Sequence, residues 1–246
     1  MTSKFFFPLM IFLLGFSSCG EDSETPTAQA PSTSINKIMP LGASRVEGAR
    51  PVFESYRFEL WKSLLDGGFT FDYIGTIDDE ASYPTFSSQT FDDDHEGRGG
   101  WTSGQILSEI STWLTQTGSP DIVLFSSPGG NDALNRQPYE EAVANVNAII
   151  DIIQDKNPNV TIIIEQPAPA RSDVMTPALT KYFNDMYQEV VKIAAAQSTS
   201  TSTVLPVDMA TGFNDSFLAD NVHYNEAGAK FIADRYYEVL RNRLQQ

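Results

Sequence analysis

The sequence predicts a three-layer α/β/α sandwich on a parallel sheet of about five strands, and two observations carry that reading. From Ile35 onward, short apolar runs alternate with longer segments whose apolar residues recur at helical spacing, the pattern of a parallel sheet with helices on both faces. After its first residue, Asp121-Ile122-Val123-Leu124-Phe125 is apolar without alternation, as expected of a central strand covered on both sides.

The first strand is read at Ile35–Leu41, ended by Gly42, with a strand-to-loop turn from Gly42 to Gly48. A helix follows over Pro51–Leu65: Phe53, Tyr56, Leu60, Trp61, Leu64 and Leu65 share one face, and Gly67-Gly68 stops it. Phe71–Gly75 reads as the second strand. From Thr76 to Gly100 the chain is a long polar loop with Pro84 and three consecutive aspartates, and a loop of that length in a compact domain is functional or disordered. Helix Ser103–Leu114, strand Asp121–Phe125, helix Tyr139–Gln154, strand Val160–Glu165, helix Pro177–Ala196, strand Thr203–Val207 and helix Asn225–Leu244 complete the alternation. No internal repeat is visible.

Residues 1–18 carry Lys4, an apolar run from Phe5 to Phe16 and then small residues, the architecture of a secretory signal and too short for a comfortable membrane span. Cys19 is the one cysteine, which excludes an intrachain disulfide and a cysteine-based zinc site. Its place directly after the small residues resembles a bacterial lipobox, which implies lipidation of Cys19 and an exported protein anchored to the outer membrane or cell surface. A plain signal peptide is the alternative. Residues 19–34, rich in Ser, Thr, Pro, Ala and acid, read as a flexible linker, leaving 35–246 as one domain. Sixteen basic against thirty-two acidic residues give a net charge of −16, which disfavours nucleic acid and anionic headgroups and suits a substrate with few negative charges.

In an open parallel sheet the site lies at the carboxyl ends of the strands, and that rule brings four loops together. The first strand leads to Ser44, the second to the loop with Gly97, the third to Gly129-Gly130-Asn131-Asp132, and the last to Asp220-Asn221-Val222-His223. An aspartate three residues before a histidine can hold one tautomer of the ring and stabilise the imidazolium. A serine on a tight turn beside such a base meets the need of nucleophilic catalysis, since the hydroxyl must lose its proton as it attacks. Gly97 lets a backbone N–H approach a developing oxyanion, and the Asn131 amide adds a second donor.

The segments Leu41-Gly42-Ala43-Ser44, Glu96-Gly97-Arg98-Gly99-Gly100-Trp101, Gly129-Gly130-Asn131-Asp132 and Asp220-Asn221-Val222-His223 resemble, in order and spacing, the four blocks of the SGNH hydrolase superfamily, the GDSL esterases. The resemblance covers Ile35 to Leu244. It implies Ser44 as nucleophile, the Ser44 and Gly97 N–H groups with Asn131 as oxyanion hole, His223 as base and Asp220 as its orienter, with no cofactor. Ile38–Gly42, Tyr56-Arg57 with Leu60-Trp61, Phe71–Gly75 and Asp94–Gly97 with Trp101 look most like the acetylxylan-esterase type of carbohydrate esterase. The resemblance therefore implies removal of small O-acyl groups, acetyl foremost, from carbohydrate. A thioesterase or lysophospholipase on the same site, and a non-catalytic surface glycan-binding lipoprotein, are the alternatives. One departure is Ala43, where the family has an aspartate that helps to hold the nucleophile loop.

The remaining candidates have plainer readings. His95 after Asp92-Asp93-Asp94 could suggest a metal site, but a solvated acidic loop that shapes the presentation of Gly97 is the preferred reading. Gly129-Gly130 lacks the Lys-Ser/Thr of a phosphate loop. Trp101 and Tyr224 are candidate sugar platforms, although Trp101 can equally pack on the helix after it.

Overall fold

A computed structural model describes residues 31–245. The predicted signal at 1–18, Cys19 and most of the 19–34 linker lie outside the described residues.

The chain runs β1 Lys37–Gly42, α1 Ser44–Glu47, α2 Arg57–Asp66, β2 Asp72–Tyr73, β3 Glu96–Gly97, α3 Ser103–Thr117 and β4 Ile122–Phe125. It continues with α4 Gly130–Leu134, α5 Tyr139–Lys156, β5 Thr161–Gln166, α6 Pro177–Gln197, β6 Thr203–Asp208, a 3-10 turn at Asp215–Phe217 and α7 Glu226–Leu240. The strands pair in parallel in the order β2-β1-β4-β5-β6, with β3 continuing the line of β2 against the end of β1. The order reverses between β1 and β4, so the crevice outside their carboxyl ends is the expected ligand site.

Side-chain alternation along the strands explains the three layers. Ile38, Ile122, Leu124 and Ile163 face one core with Leu60, Trp61, Ile232 and Tyr236 of α2 and α7. Met39, Leu41, Val123, Phe125, Ile162 and Ile164 face the other, with Ile110, Val146, Ile150 and Val190 of α3, α5 and α6. Both faces of β4 are thus apolar, which is why its sequence shows no alternation.

Four local differences from the sequence reading have physical causes. The expected helix over Pro51–Leu65 starts only at Arg57, because the Glu54 N–H donates to the Tyr224 carbonyl (2.8 Å) and Phe53 pairs with Ala49. Contact with the His223 loop overrides the helical pattern there. Helices α1 and α4, at four and five residues, are too short to show a period. Strand β3 lies inside the predicted polar loop, its Glu96 fully buried and satisfied by Thr76 and Arg98. The rest of that loop is ordered by Asp79, which takes two hydrogen bonds from Arg57 and one from the Tyr83 hydroxyl.

Candidate active site

Ser44 opens α1 directly after β1. The turn demands Gly42, since a Cβ there would stand 2.8 Å from Val46 Cγ2 and 3.0 Å from the Ser126 carbonyl. The Ala43 carbonyl accepts the N–H groups of Val46 (2.9 Å) and Glu47 (3.0 Å), so backbone hydrogen bonds close this turn. Arg45 adds a second restraint: its guanidinium donates to the carbonyls of Val222, Ala168 and Pro169 at 2.8, 2.8 and 3.0 Å. One buried side chain thereby ties the serine turn to the residue preceding His223.

His223 Nε2 lies 2.9 Å from Ser44 Oγ, and its Nδ1 lies 2.7 Å from Asp220 Oδ2. Ionised Asp220 can only accept, so Nδ1 carries the proton and Nε2 is left to accept from the serine. The other Asp220 oxygen accepts the N–H groups of Val222 and His223, both at 2.8 Å. Partial burial pulls the Asp220 pKa up, but the bonds from the His223 ring and these two N–H groups outweigh it and hold the carboxyl below its ordinary value. Phe53 stacks on the imidazole at 3.9 Å between ring centroids and 14° between planes, which restrains the ring.

Asn131 sits on α4 at the end of β4, its amide donating to the Trp101 carbonyl at 2.8 Å. That amide carries a second hydrogen for a ligand. Buried Asp132 beside it accepts from the Ser103 N–H (2.8 Å) and hydroxyl (2.7 Å), locking α4 to the N-terminus of α3, where a carboxylate is favoured. Beneath the turn, fully buried Glu165 accepts from the Ser127 N–H (2.7 Å), the Ser126 hydroxyl (3.0 Å) and the Tyr236 hydroxyl (2.8 Å). Burial pushes its carboxyl up while these donors oppose the shift.

Two of the predicted roles do not survive. The Gly97 N–H donates to His95 Nδ1 at 2.8 Å and cannot serve an oxyanion. Gly97 is a glycine because the α1 backbone crosses it: a Cβ would lie 2.4 Å from the Glu47 nitrogen. Gly100 of the same loop is exposed in the left-handed region at φ 78°, next to the Trp101 whose carbonyl Asn131 holds. Tyr224 is no sugar platform. It is 0 % exposed, with the Arg45 guanidinium 4.8 Å from its ring centroid and Phe213 edge-on. Trp101 is partly buried and lies against Trp113 of α3 at 5.6 Å.

His95 has a structural partner set. Because Nδ1 accepts from Gly97, Nε2 carries the proton and donates to Asp79 Oδ1 at 3.1 Å. Burial, reinforced by Arg57, lowers the His95 pKa to about 4. The stability tied to the neutral ring is complete above the unfolded value near 6.5 and is lost as pH falls through 6.5 toward 4. The expected result is that the His95 ring nitrogen resonances stay constant from about pH 8 to pH 5. A midpoint near 6.5 in that NMR titration contradicts the buried neutral ring.

Ser44 and Asn131 line a cavity of about 40 Å³, walled by Ala43, Leu134, Phe183 and Val222. A doubly wound sheet with a hydrogen-bonded serine, histidine and aspartate at its switch point defines a hydrolase-type α/β/α protein. The chain belongs to the GDSL-like lipase/acylhydrolase family, whose model matches residues 63–231, a span that holds Asn131, Asp220 and His223 and begins after Ser44. It is a carboxylic ester hydrolase.

Solved structures similar to the chain include an acetyl esterase serine-to-alanine mutant with an acetate ion, at 25% identity and TM-score 0.72, covering 85% of this chain and 98% of that one. A carbohydrate esterase family 3 protein from Talaromyces cellulolyticus matches at 25% identity and TM-score 0.72, over 86% of this chain and 100% of the other. The Clostridium thermocellum family 3 carbohydrate esterase matches at 30% identity and TM-score 0.66, again over 86% and 100%. No curated protein sequence matches significantly.

Proposed function

We propose that the enzyme removes acetyl groups from carbohydrate through an acyl-enzyme on Ser44. The observation that carries this reading is the line from Ser44 Oγ through His223 to Asp220, at 2.9 and 2.7 Å, opening on a cavity of only about 40 Å³. A pocket of that size suits the methyl of an acetyl group. Names of similar structures, an acetyl esterase and two family 3 carbohydrate esterases, support the same substrate class.

In the proposed reaction Ser44 Oγ attacks the ester carbonyl as His223 Nε2 takes its proton, while Asp220 stabilises the imidazolium. Negative charge on the carbonyl oxygen is met by the Ser44 N–H and the second Asn131 amide hydrogen. His223 returns the proton to the leaving sugar hydroxyl. Water, deprotonated by His223, then attacks the acetyl-serine and frees acetate and Ser44.

The test is a panel of aryl acetate, long-chain aryl ester and acetylated xylan. Acetate release from xylan with the long-chain ester cleaved at least about a hundredfold less well than the acetate is the expected result. Preference for the long-chain ester refutes it.

A further inference from the structure

A second cavity, of about 560 Å³, lies on the other side of Leu134 and Val222, the two residues that line it and the small cavity at Ser44 alike. Its volume is that of an ordinary ligand pocket, roughly 300–1,000 Å³. Val174, Leu179 and Tyr182 supply apolar wall from the segment after β5 and from α6. Asn221 and Arg136 supply polar groups, and Arg136 has no carboxylate at ion-pair distance among the described residues. Leu134 itself is 40% exposed, a large apolar side chain held at the boundary of two cavities instead of in a core.

We propose that this cavity binds the alcohol half of the ester, an oligosaccharide with apolar ring faces, and that Leu134 is the partition closing the acyl side at two carbons. The inference rests on the acyl-enzyme reading of Ser44. Two geometrical facts set the direction. His223 must hand its proton to the leaving oxygen, so the alcohol half lies on the histidine side of the reacting carbon. Asn221, two residues before His223, lines the large cavity and not the small one. The acyl half has only the small cavity, and Leu134 stands between that cavity and the larger space. Sugar rings present C–H faces to walls such as Leu179 and Tyr182, while their hydroxyls need partners such as Asn221 and Arg136.

Two substitutions test the two sides of the partition. Leu179→Trp fills the large cavity, and the ratio of kcat/KM for acetylated xylo-oligosaccharide to that for ethyl acetate should fall about tenfold or more, through KM. Ala178→Trp, at an exposed position on the same wall, gives a second block if Leu179→Trp lowers the melting temperature. Leu134→Ala joins the cavities, and the butanoate-to-acetate ratio with aryl esters should rise about tenfold. Folded variants with both ratios unchanged overturn the proposal while leaving the esterase reading intact. Failure of the wild type to hydrolyse ethyl acetate or any aryl acetate overturns the esterase reading itself.

Discussion

Replacing Ser44 with alanine lowers kcat/KM on aryl acetate by at least about 10⁴-fold, without a change in melting temperature. The size follows from what is removed: without Oγ no acyl-enzyme forms, and what remains is the oxyanion site acting on water. The stability follows from the contacts, because among the described residues the Ser44 hydroxyl bonds only to the His223 ring. His223→Ala costs a comparable factor, and the double variant costs little more than either, since base and nucleophile act as one unit. Ser44→Ala with near wild-type turnover would falsify the catalytic assignment.

The site's large outline was legible in the sequence for a topological reason. Apolar runs mark the strands, and in a parallel sheet the residue after each run must emerge at one end, so Ser44, Asn131 and the Asp220–His223 segment had to converge. Hydrogen-bond partners are another matter. That the Gly97 N–H is committed depends on the rotamer of His95, which no spacing encodes. Tyr224 follows His223 and looks like part of the rim, but its own backbone pairs with Glu54 and Leu218, and its ring is buried in the core.

Arg45, Phe53 and Glu165 were missed for a related reason. A charged residue normally signals solvent. Glu165 ends an Ile-Ile-Ile run, and Arg45 adjoins the nucleophile in an apolar setting, so each carried a faint mark of burial. Phe53 falls at an apolar helical spacing in the sequence, but the helix does not extend that far. Ala43 stands where the resemblance leads one to expect an aspartate, yet the turn is held by its backbone bonds and by Arg45.

Arg57→Met is the largest stability change expected, about 3–5 kcal/mol, because it breaks a buried pair and leaves one charge unpaired. Arg57 is 0 % exposed, and its guanidinium lies 5.7 Å from the Phe91 ring centroid. Its guanidinium donates to Val46 O (2.7 Å), Glu47 O (2.9 Å) and Asp93 O (2.6 Å), and forks onto both Asp79 oxygens at 2.7 and 2.8 Å. Methionine matches the stem but supplies no donor, so three carbonyls and a carboxylate lose partners together. At roughly 2–4 °C per kcal/mol for a domain of this size, the melting temperature drops by about 10 °C. Activity falls as well, since Val46 and Glu47 belong to the turn that carries Ser44 and Asp79 orders the loop before Gly97. Asp79→Asn in the Arg57→Met background separates pair from scaffold. If the unpaired carboxylate is the main cost, neutralising it recovers a large part of the lost stability, and no recovery in the double variant places the cost in the three carbonyls instead.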